Sequence, residues 1–473
     1  MDNGDFPDAW FGGIFPLMEI TLPGWIARIA QRFTQERKDF YVVGGALRDQ
    51  LLGRESREWD VATNARPDKV LELLKVSGAK AIGTVGKRFG TITARIENDP
   101  IEITTYRSEQ YAQDSRQPTV AFGDSLEEDL ARRDFTVNAL AYDPIQKITI
   151  DKVGGQADLA AKLIRAVGNG RDRFNEDPLR MLRAIRFAVE LEFEIEPKTF
   201  AAIASEKERF AILSVERIQQ ELNKILLSAR PSRGIELLRE SGLIAYILPE
   251  LLPSIDIEFD PREHKDIYHH ILQVLDNTPP KLELRWCALL HDIAKPLTRK
   301  KIAGEWHFLG HENVGAKMAK QILSRLRYPN DFVIYVNQLV YLHQRIPNDA
   351  GDWSDGAIRR FVRDAGAALD DLFTFAEADS TGKNERKLAL YQARRAKLRE
   401  RIVELERLAE IAKIASPLSG EELMELFHRP AGPWIKPIKE ELLRQVLDGE
   451  LGPDDKAKAK TVAKSLIADN TKR

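Results

Sequence analysis

Apolar residues first recur at helical spacing. Behind Pro23, the residues Trp25, Ile26, Ile29 and Phe33 share one face of a predicted helix. The period then shortens to that of strands. Phe40–Val43 is a compact, β-branched run, Gly44-Gly45 breaks it, and Ala46–Leu52 resumes as a helix. Trp59–Ala62 reads as a second strand. Thr91–Ile96 and Ile101–Tyr106 flank Asn98-Asp99-Pro100, which predicts a hairpin. Beyond about residue 150 strand signals nearly vanish. From Glu176 onward the pattern predicts helices separated by Pro231, Pro249, Pro279-Pro280, Pro329 and Pro347, with a long Arg- and Glu-rich helix over Tyr391–Ala412. No internal repeat or low-complexity tract interrupts this order. The pattern predicts an α+β first segment followed by all-α segments.

At roughly 100–200 residues per domain, 473 residues allow three or four domains. With 43% hydrophobic and 30% charged residues, the chain can bury real cores. Lys plus Arg total 71 against 73 Asp plus Glu, a net charge of −2, so any surface for nucleic acid must be local. The single cysteine, Cys287, excludes an intrachain disulfide and fits a reducing compartment. No stretch approaches the roughly 20 apolar residues of a membrane span. Met1–Asp8 is acidic without a basic n-region, so no secretory signal is expected. Together these predict a cytoplasmic protein with no membrane partner.

Chemistry-bearing residues concentrate in three places. Glu58 and Asp60 stand two apart on a predicted strand, so their carboxylates share a face. Glu102, between Ile101 and Ile103, faces away from the core. Three converging carboxylates make a hard-oxygen site for Mg²⁺, although such a pair is also common on exposed strands. The Gly44-Gly45 turn opens a helix, lets backbone N–H groups approach a phosphate, and is followed by Arg48. Further on, Asp177 and Arg180 at i, i+3 share a helix face and present an acceptor and donors that match the edge of a base. Asp177 before Pro178 is equally a helix cap. Arg183 and Arg186 continue that face, either toward phosphate or as a solvated stripe. Of eight histidines, seven fall between His264 and His343. His270, the His291-Asp292 doublet, His311, His343 and Asp379 follow one another on helical stretches. Imidazole with carboxylate suits Mn, Fe, Ni or Zn. His269 and His307 are less favoured as ligands, and His264 reads as surface.

These residues carry a family resemblance. Gly44-Gly45-Ala-Leu-Arg48-Asp49 with Glu58-Trp-Asp60 resembles the first motif of bacterial tRNA nucleotidyltransferases. These are the CCA-adding enzymes of class II and their poly(A) polymerase relatives, in the polymerase-β-like superfamily. Ile101-Glu102-Ile resembles the strand with their third acid. Arg132-Arg133-Asp134-Phe-Thr-Val-Asn138 resembles their ribose-recognising motif, Glu176-Asp177-Pro-Leu-Arg180-Met-Leu-Arg183-Ala-Ile-Arg186 their base-selecting motif, and Glu216-Arg217 to Glu221 the helical motif after it. Leu290-His291-Asp292-Ile-Ala-Lys295, Gly310-His311-Glu312 and Ala376-Glu-Ala-Asp379 resemble an HD domain. One departure stands out: the family usually has Asp-x-Asp where this chain has Glu58 and Asp60, and Glu is one methylene longer.

The resemblance implies a nucleotidyltransferase head (1–150), a helical neck with the base-selecting motif (151–262), an HD domain (263–380) and a helical, tRNA-binding tail (381–473). It implies transfer of CMP and AMP from CTP and ATP to a tRNA 3′ end, with Glu58 and Asp60 holding Mg²⁺ and Glu102 aiding the 3′-hydroxyl. Gly44, Gly45, Arg48, Arg133, Asp134, Asn138, Asp177, Arg180, Arg183 and Arg186 would hold the nucleotide, with Asp134 on the ribose 2′-hydroxyl and Glu176 bracing Arg180. A polar loop over 108–118 would switch from CTP to ATP. His270, His291, Asp292, His311, His343 and Asp379 would hold a transition metal. Lys436, Lys439 and Lys456–Lys464, with the Gly432-Pro433 turn, would meet the tRNA body or form a solvated helix end. CC-only or A-only addition, poly(A) synthesis, and an HD phosphohydrolase with an inactive head remain as alternatives.

Overall fold

The computed structural model describes residues 20–470 apart from 57, 111–118, 124, 256, 261–264, 304, 347–352, 382–384, 414–415, 448–449 and 453. His264, Pro347 and most of the polar loop lie outside the described residues. Helix α1 (Gly24–Gln35) buries Trp25, Ile26, Ile29 and Phe33, the face its spacing predicts. Then follow β1 (Tyr41–Val43), α2 (Gly44–Leu51), β2 (Trp59–Thr63), α3 (Pro67–Val76), β3 (Lys80–Gly83), β4 (Thr91–Ile96) and β5 (Asp99–Thr105). A two-stranded ribbon, β6 (Arg107–Gln110) with β7 (Thr119–Phe122), leads into α4 (Leu126–Ala131), β8 (Leu140–Asp143) and β9 (Ile148–Asp151). One sheet runs in the order β3-β4-β5-β2-β1-β8-β9. Its parallel pair is β2 with β5; the other neighbours are antiparallel.

The β4–β5 hairpin turns two residues earlier than its sequence suggests. Ile96 pairs with Asp99, leaving Glu97 and Asn98 as a two-residue loop. Both have positive φ, 51° and 78°. That handedness matches the twist of the strands, whereas Pro100 sits within the paired edge. Along β4 and β5, Ile92, Ala94, Ile96, Ile101 and Ile103 are buried while Glu102 is exposed. Alternation therefore places the acid on the face opposite the core.

After β9 come α5 (Gly155–Ala160), α6 (Gly170–Glu176), α7 (Leu179–Leu191), α8 (Pro197–Glu206), α9 (Val215–Leu226) and α10 (Pro231–Glu240). Later helices span Ile267–Asn277, Leu282–Leu290, His311–Arg325 and Asn330–Leu342. Three short strand pairs run against the helical expectation among the described residues: Leu163–Ile164 with Glu194–Ile195, Glu258–Asp260 with Lys265–Asp266, and Lys300–Ile302 with Glu305–His307, a small hairpin between the His291-Asp292 doublet and His311. The chain divides into two compact units, Met1–His343 and Gln344–Arg473. The second holds helices Asp355–Ala365, Leu369–Ala378 and the charged Glu385–Lys413. Its C-terminal helices pack around Leu418, Leu423, Ile438, Leu442, Leu451, Ala459 and Ala463. None of the helices of the described residues is long and apolar enough to cross a membrane.

Candidate active site and histidine centre

The sheet assembles the head site. In the parallel pair, Asp60 lies directly beside Glu102. In the antiparallel pair, Val43, the residue before Gly44, lies opposite Asp60. Gly44 has φ +73°, and a Cβ there would fall 2.9 Å from Asp60 Oδ2 and 3.4 Å from Arg133 Nη1. Both facts demand glycine: the left-handed conformation, and the approach of the carboxylate to the turn. Gly45 already lies inside α2. Glu58 precedes β2 by one residue and is exposed, so it flanks the strand rather than standing on it.

Both strand acids are raised, and nearby arginines only partly offset the shift. Burial pushes the Asp60 carboxyl up to about 6, helped by Glu102 and Glu58 and opposed by Arg133 and Arg48. Burial also raises Glu102; Arg107 opposes and Glu58 adds to the shift. An all-oxygen donor set of neighbouring carboxylates, one of them largely buried, fits a divalent hard cation.

The helix-borne groups depart from several expectations. Arg48 does not stand open to a phosphate. It is buried, donates from Nη1 to Asn138 Oδ1 at 2.8 Å and from Nε to Asp49 Oδ1 at 2.9 Å. Asp134 does not face open space either. Its Oδ2 accepts from Arg183 Nε and Nη2 at 2.9 and 2.6 Å, and its Oδ1 accepts from Asn138 Nδ2 at 3.2 Å. Burial alone would raise this carboxyl, but Arg183 and these bonds bring it down to about 2. Asp134 thus holds Arg183 in place. Arg183 and Arg186 form no solvated stripe. Arg186 is buried, with Nε 2.6 Å from Glu221 Oε2 and Nη1 3.1 Å from Glu190 Oε2. Arg48, Arg183 and Arg186 all lie over the Phe187 ring, at 5.1, 5.2 and 4.0 Å from its centroid. Three guanidiniums pack there because carboxylates and one aromatic face absorb their charge.

Asp177 stands just outside α7, in extended conformation, rather than on the helix with Arg180. Its Oδ1 accepts the Leu179 N–H at 3.1 Å, so it does cap the helix. Its Oδ2 accepts from Arg217 Nη2 at 2.7 Å. Arg180 is held as expected by Glu176: Nη1 donates to Glu176 Oε2 at 2.7 Å and to the Arg173 carbonyl at 3.3 Å, and Nη2 to the Arg132 carbonyl at 2.9 Å. Arg133 Nη2 pairs with Asp129 at 3.2 Å, and Arg132 Nη2 pairs with it at 2.6 Å. Asp129 was hidden in sequence inside the run Glu127-Glu128-Asp129. Its spacing of three and four residues to the two arginines was the available signal.

The histidine centre lies wholly in the first unit. His291 Nδ1 sits 2.9 Å from the Ala288 carbonyl, His311 Nδ1 2.7 Å from that of Phe308, and His343 Nδ1 2.6 Å from that of Val340. A carbonyl only accepts, so each Nδ1 carries the proton and each Nε2 offers a lone pair. Those lone pairs converge on Asp292. Oδ2 lies 3.2 Å from His291 Nε2 and 3.5 Å from His270 Nε2; Oδ1 lies 3.3 Å from His311 Nε2 and 4.0 Å from His343 Nε2. His270 and His291 bring their Nε2 atoms within 3.4 Å. Buried lone pairs facing one another and a carboxylate fit a bound cation. Lys295 Nζ, 2.6 Å from Oδ2, supplies positive charge at the same carboxylate. Burial would raise Asp292, yet His291 and Lys295 hold it well below the usual carboxylate range. Two groups, His270-His291-Asp292 and Asp292-His311-His343, have their ligand atoms within 4.8 Å of one another. Asp379 is not among them; it ends the helix Leu369–Ala378 of the second unit. His269 donates its backbone N–H to Asp266, which caps that helix, and His307 lies on the hairpin.

A sheet carrying paired acids beside a glycine turn, followed by a helical arginine–carboxylate array, defines a nucleotidyltransferase. Family models agree: a poly A polymerase head domain matches residues 40–165, a probable RNA- and SrmB-binding site of polymerase A matches 192–255, and an HD domain matches 267–415. The chain is 32% identical over 425 residues to a CCA-adding enzyme of Geobacillus sp. (strain WCH70), covering 89% of this chain and 92% of that one. It is 33% identical over 437 residues to an A-adding tRNA nucleotidyltransferase of Deinococcus radiodurans, covering 88% and 94%. The Bacillus stearothermophilus CCA-adding enzyme, solved in complex with CTP, superposes with a TM-score of 0.60 at 27% identity, covering 96% of this chain and all of that one. The chain belongs to the tRNA nucleotidyltransferase family of CCA-adding enzymes and their poly(A) polymerase relatives.

Proposed function

We propose that this chain completes tRNA 3′ ends, adding CMP and AMP from CTP and ATP to form or repair CCA without a nucleic-acid template. The observation that carries this reading is the immobilised pair Asp177 and Arg180. Three of the five N–H donors of Arg180 are spent on Glu176 and two backbone carbonyls in fixed directions. Asp177 is pinned by Arg217 and its cap bond. A rigid acceptor beside a rigid fork of donors reads the edge of a base as a partner base would.

Glu58, Asp60 and Glu102 would hold Mg²⁺, which neutralises the triphosphate and activates the attacking hydroxyl in a two-metal displacement. Glu102, beside Asp60, orients the RNA 3′-hydroxyl. Gly44 brings backbone against that acid, and Arg133 places its charge at the same spot. No protein nucleophile is needed, because the RNA hydroxyl attacks. Arg48, Asn138, Asp134, Arg183 and Arg186 shape the nucleotide pocket from behind through their mutual bonds. The division into head (1–150), neck (151–262), HD domain (263–380) and tRNA-binding tail (381–473) belongs to the same proposal, as does a cytoplasmic location, which the lone cysteine supports.

The test is incubation with tRNA ending before CCA and tRNA ending in CC, with CTP and ATP singly and together. CCA formation from both nucleotides supports the reading. Growth only on the CC-ended substrate makes this an A-adding enzyme, arrest after two C residues a CC-adding one, and long A tracts a poly(A) polymerase. The converging lone pairs of the histidine centre favour a second reading beside the first: hydrolysis of a phosphate ester by a transition metal held at His270, His291, Asp292, His311 and His343. Metal analysis and phosphodiester hydrolysis by the whole protein test it.

A further inference from the structure

Helix α9 has two polar faces, and each grips a different part of the first unit. Arg217 and Glu221, four apart, face the base-reading segment: Arg217 bonds Asp177 at 2.7 Å, and Glu221 forms an ion pair with Arg186 at 2.6 Å and approaches Arg183 at 3.9 Å. Glu216, Gln219 and Asn223, spaced by three and four, face the short segment that follows the helix His311–Arg325. Glu216 pairs with Arg327, Gln219 Nε2 donates to the Leu326 carbonyl at 3.1 Å, and Asn223 Oδ1 accepts from the Tyr328 hydroxyl. Between the two polar faces, Ile218, Leu222, Ile225 and Leu226 are buried. The Tyr328 hydroxyl in turn accepts from Trp286 Nε1 at 3.0 Å, and the two rings meet edge-on at 5.4 Å. Trp286 is fully buried on the helix that leads to His291.

We infer that Arg327 and Tyr328, residues of the histidine-bearing region, are positioning residues for base selection, acting through α9 on Asp177. This rests on the reading of Asp177 and Arg180 as the base-reading pair. The physical reason is leverage. Asp177 sits in an extended residue between two helices, so its place depends on what holds Arg217. Arg217 projects from a helix whose other face is tied by three polar contacts to 326–328. One of those contacts is part-buried, and its Tyr328 hydroxyl is anchored on a buried indole, where a lost partner leaves a desolvated polar group. A helix moves as a body, so loosening one face shifts the groups on the other. The metal ligand His311 lies at the far end of a 15-residue helix, roughly 22 Å from the dock at 1.5 Å per residue.

The experiment uses the full chain and tRNA ending before CCA, and measures kcat and KM for CTP, ATP, UTP and GTP. Arg327→Glu breaks an ion pair whose side chains are 64% and 49% exposed, so the variant folds. Tyr328→Phe removes only the hydroxyl. Both variants are expected to lower the ratio of kcat/KM for correct over incorrect nucleotides by about fivefold or more. The change falls mainly in KM for the correct base. Glu216→Arg combined with Arg327→Glu re-forms the pair in reverse and restores the ratio. A general loss of packing would slow all four nucleotides together and would not be rescued by reversal. An active parent whose discrimination is unmoved by both variants, or a reversed pair as impaired as the single change, overturns this inference and leaves the proposed function standing. A parent that incorporates no nucleotide overturns the proposed function, and this inference with it.

Discussion

The two acid-bearing centres of the first unit are built on opposite principles. At the head, Asp60 and Glu102 stand side by side on neighbouring strands with Glu58 on the flank, and Glu58 and Glu102 are exposed. Burial first, and neighbouring acids second, raise the Asp60 and Glu102 carboxyls above their usual range, and nearby arginines offset this only in part. Among the described residues, the groups whose ligand atoms lie within 4.8 Å of one another are both in the histidine centre, where every ligand is buried and three imidazoles are locked by backbone carbonyls. A site meant to receive a metal together with a charged substrate stays open and electrostatically frustrated. A site meant to retain a metal is built closed, with its ligands pre-oriented.

The strongest break of this contrast is Asp60→Ala. Nucleotide incorporation should fall by at least about a thousandfold, since the acid serves the transition state, while tRNA binding and metal content of the histidine centre stay near the parent's. Near-normal turnover would end the assignment of the head. Glu58→Asp, which restores the family's usual acid, should retain or raise the rate; a dead variant would mean that this flank, one residue outside the strand, is fitted to the longer side chain.

Next in size is Arg180→Ala. An unpaired base edge costs about 1–3 kcal/mol, so selectivity among the four nucleotides should drop roughly 5- to 150-fold while triphosphate binding changes less. Proportional losses for all four would make Arg180 a structural contact with Glu176 and the Arg132 carbonyl.

Asp134 offers a smaller effect with a definite sign. Its folded value, about 2, lies below the ordinary 3.8. A depressed carboxyl contributes stability that is fully present above the ordinary value and is lost as pH falls through the folded one. The difference corresponds to about 2 kcal/mol. Urea unfolding of the parent should weaken between pH 5 and pH 2 by that order more than Asp134→Asn does. Parallel pH profiles would show that the bond to Arg183 contributes little.

The smallest expected effect on nucleotide addition is none. His291→Ala with Asp292→Ala should strip the transition metal and any phosphate-ester hydrolysis, yet leave extension of tRNA intact in samples whose circular dichroism matches the parent. A well-folded double variant unable to extend tRNA would show that the two centres depend on each other.

Much of this was legible along the chain because it rests on local physics. Period-2 alternation placed Glu102 opposite its isoleucines, helical spacing marked the buried face of α1, and the glycine pair marked a turn, although the carboxylate of Asp60 against it is visible only in the structure. The clustering of histidines announced a separate centre, and five of its six expected ligands do converge. What the sequence could not decide were pairings between distant side chains. Nothing near Asp134 in the chain says that Arg183, 49 residues on, donates twice to its Oδ2, or that Arg186 is buried against Glu221. The spacing of Asp177 and Arg180 predicts a shared helix face, but Pro178 starts the helix after Asp177 and hands that carboxylate to Arg217. Alternation and helical period are set by the backbone over a few residues, so sequence alone fixes them. The partner of a charge is set by which elements the packing brings together and by the cost of burying it unpaired, and only the tertiary structure decides that.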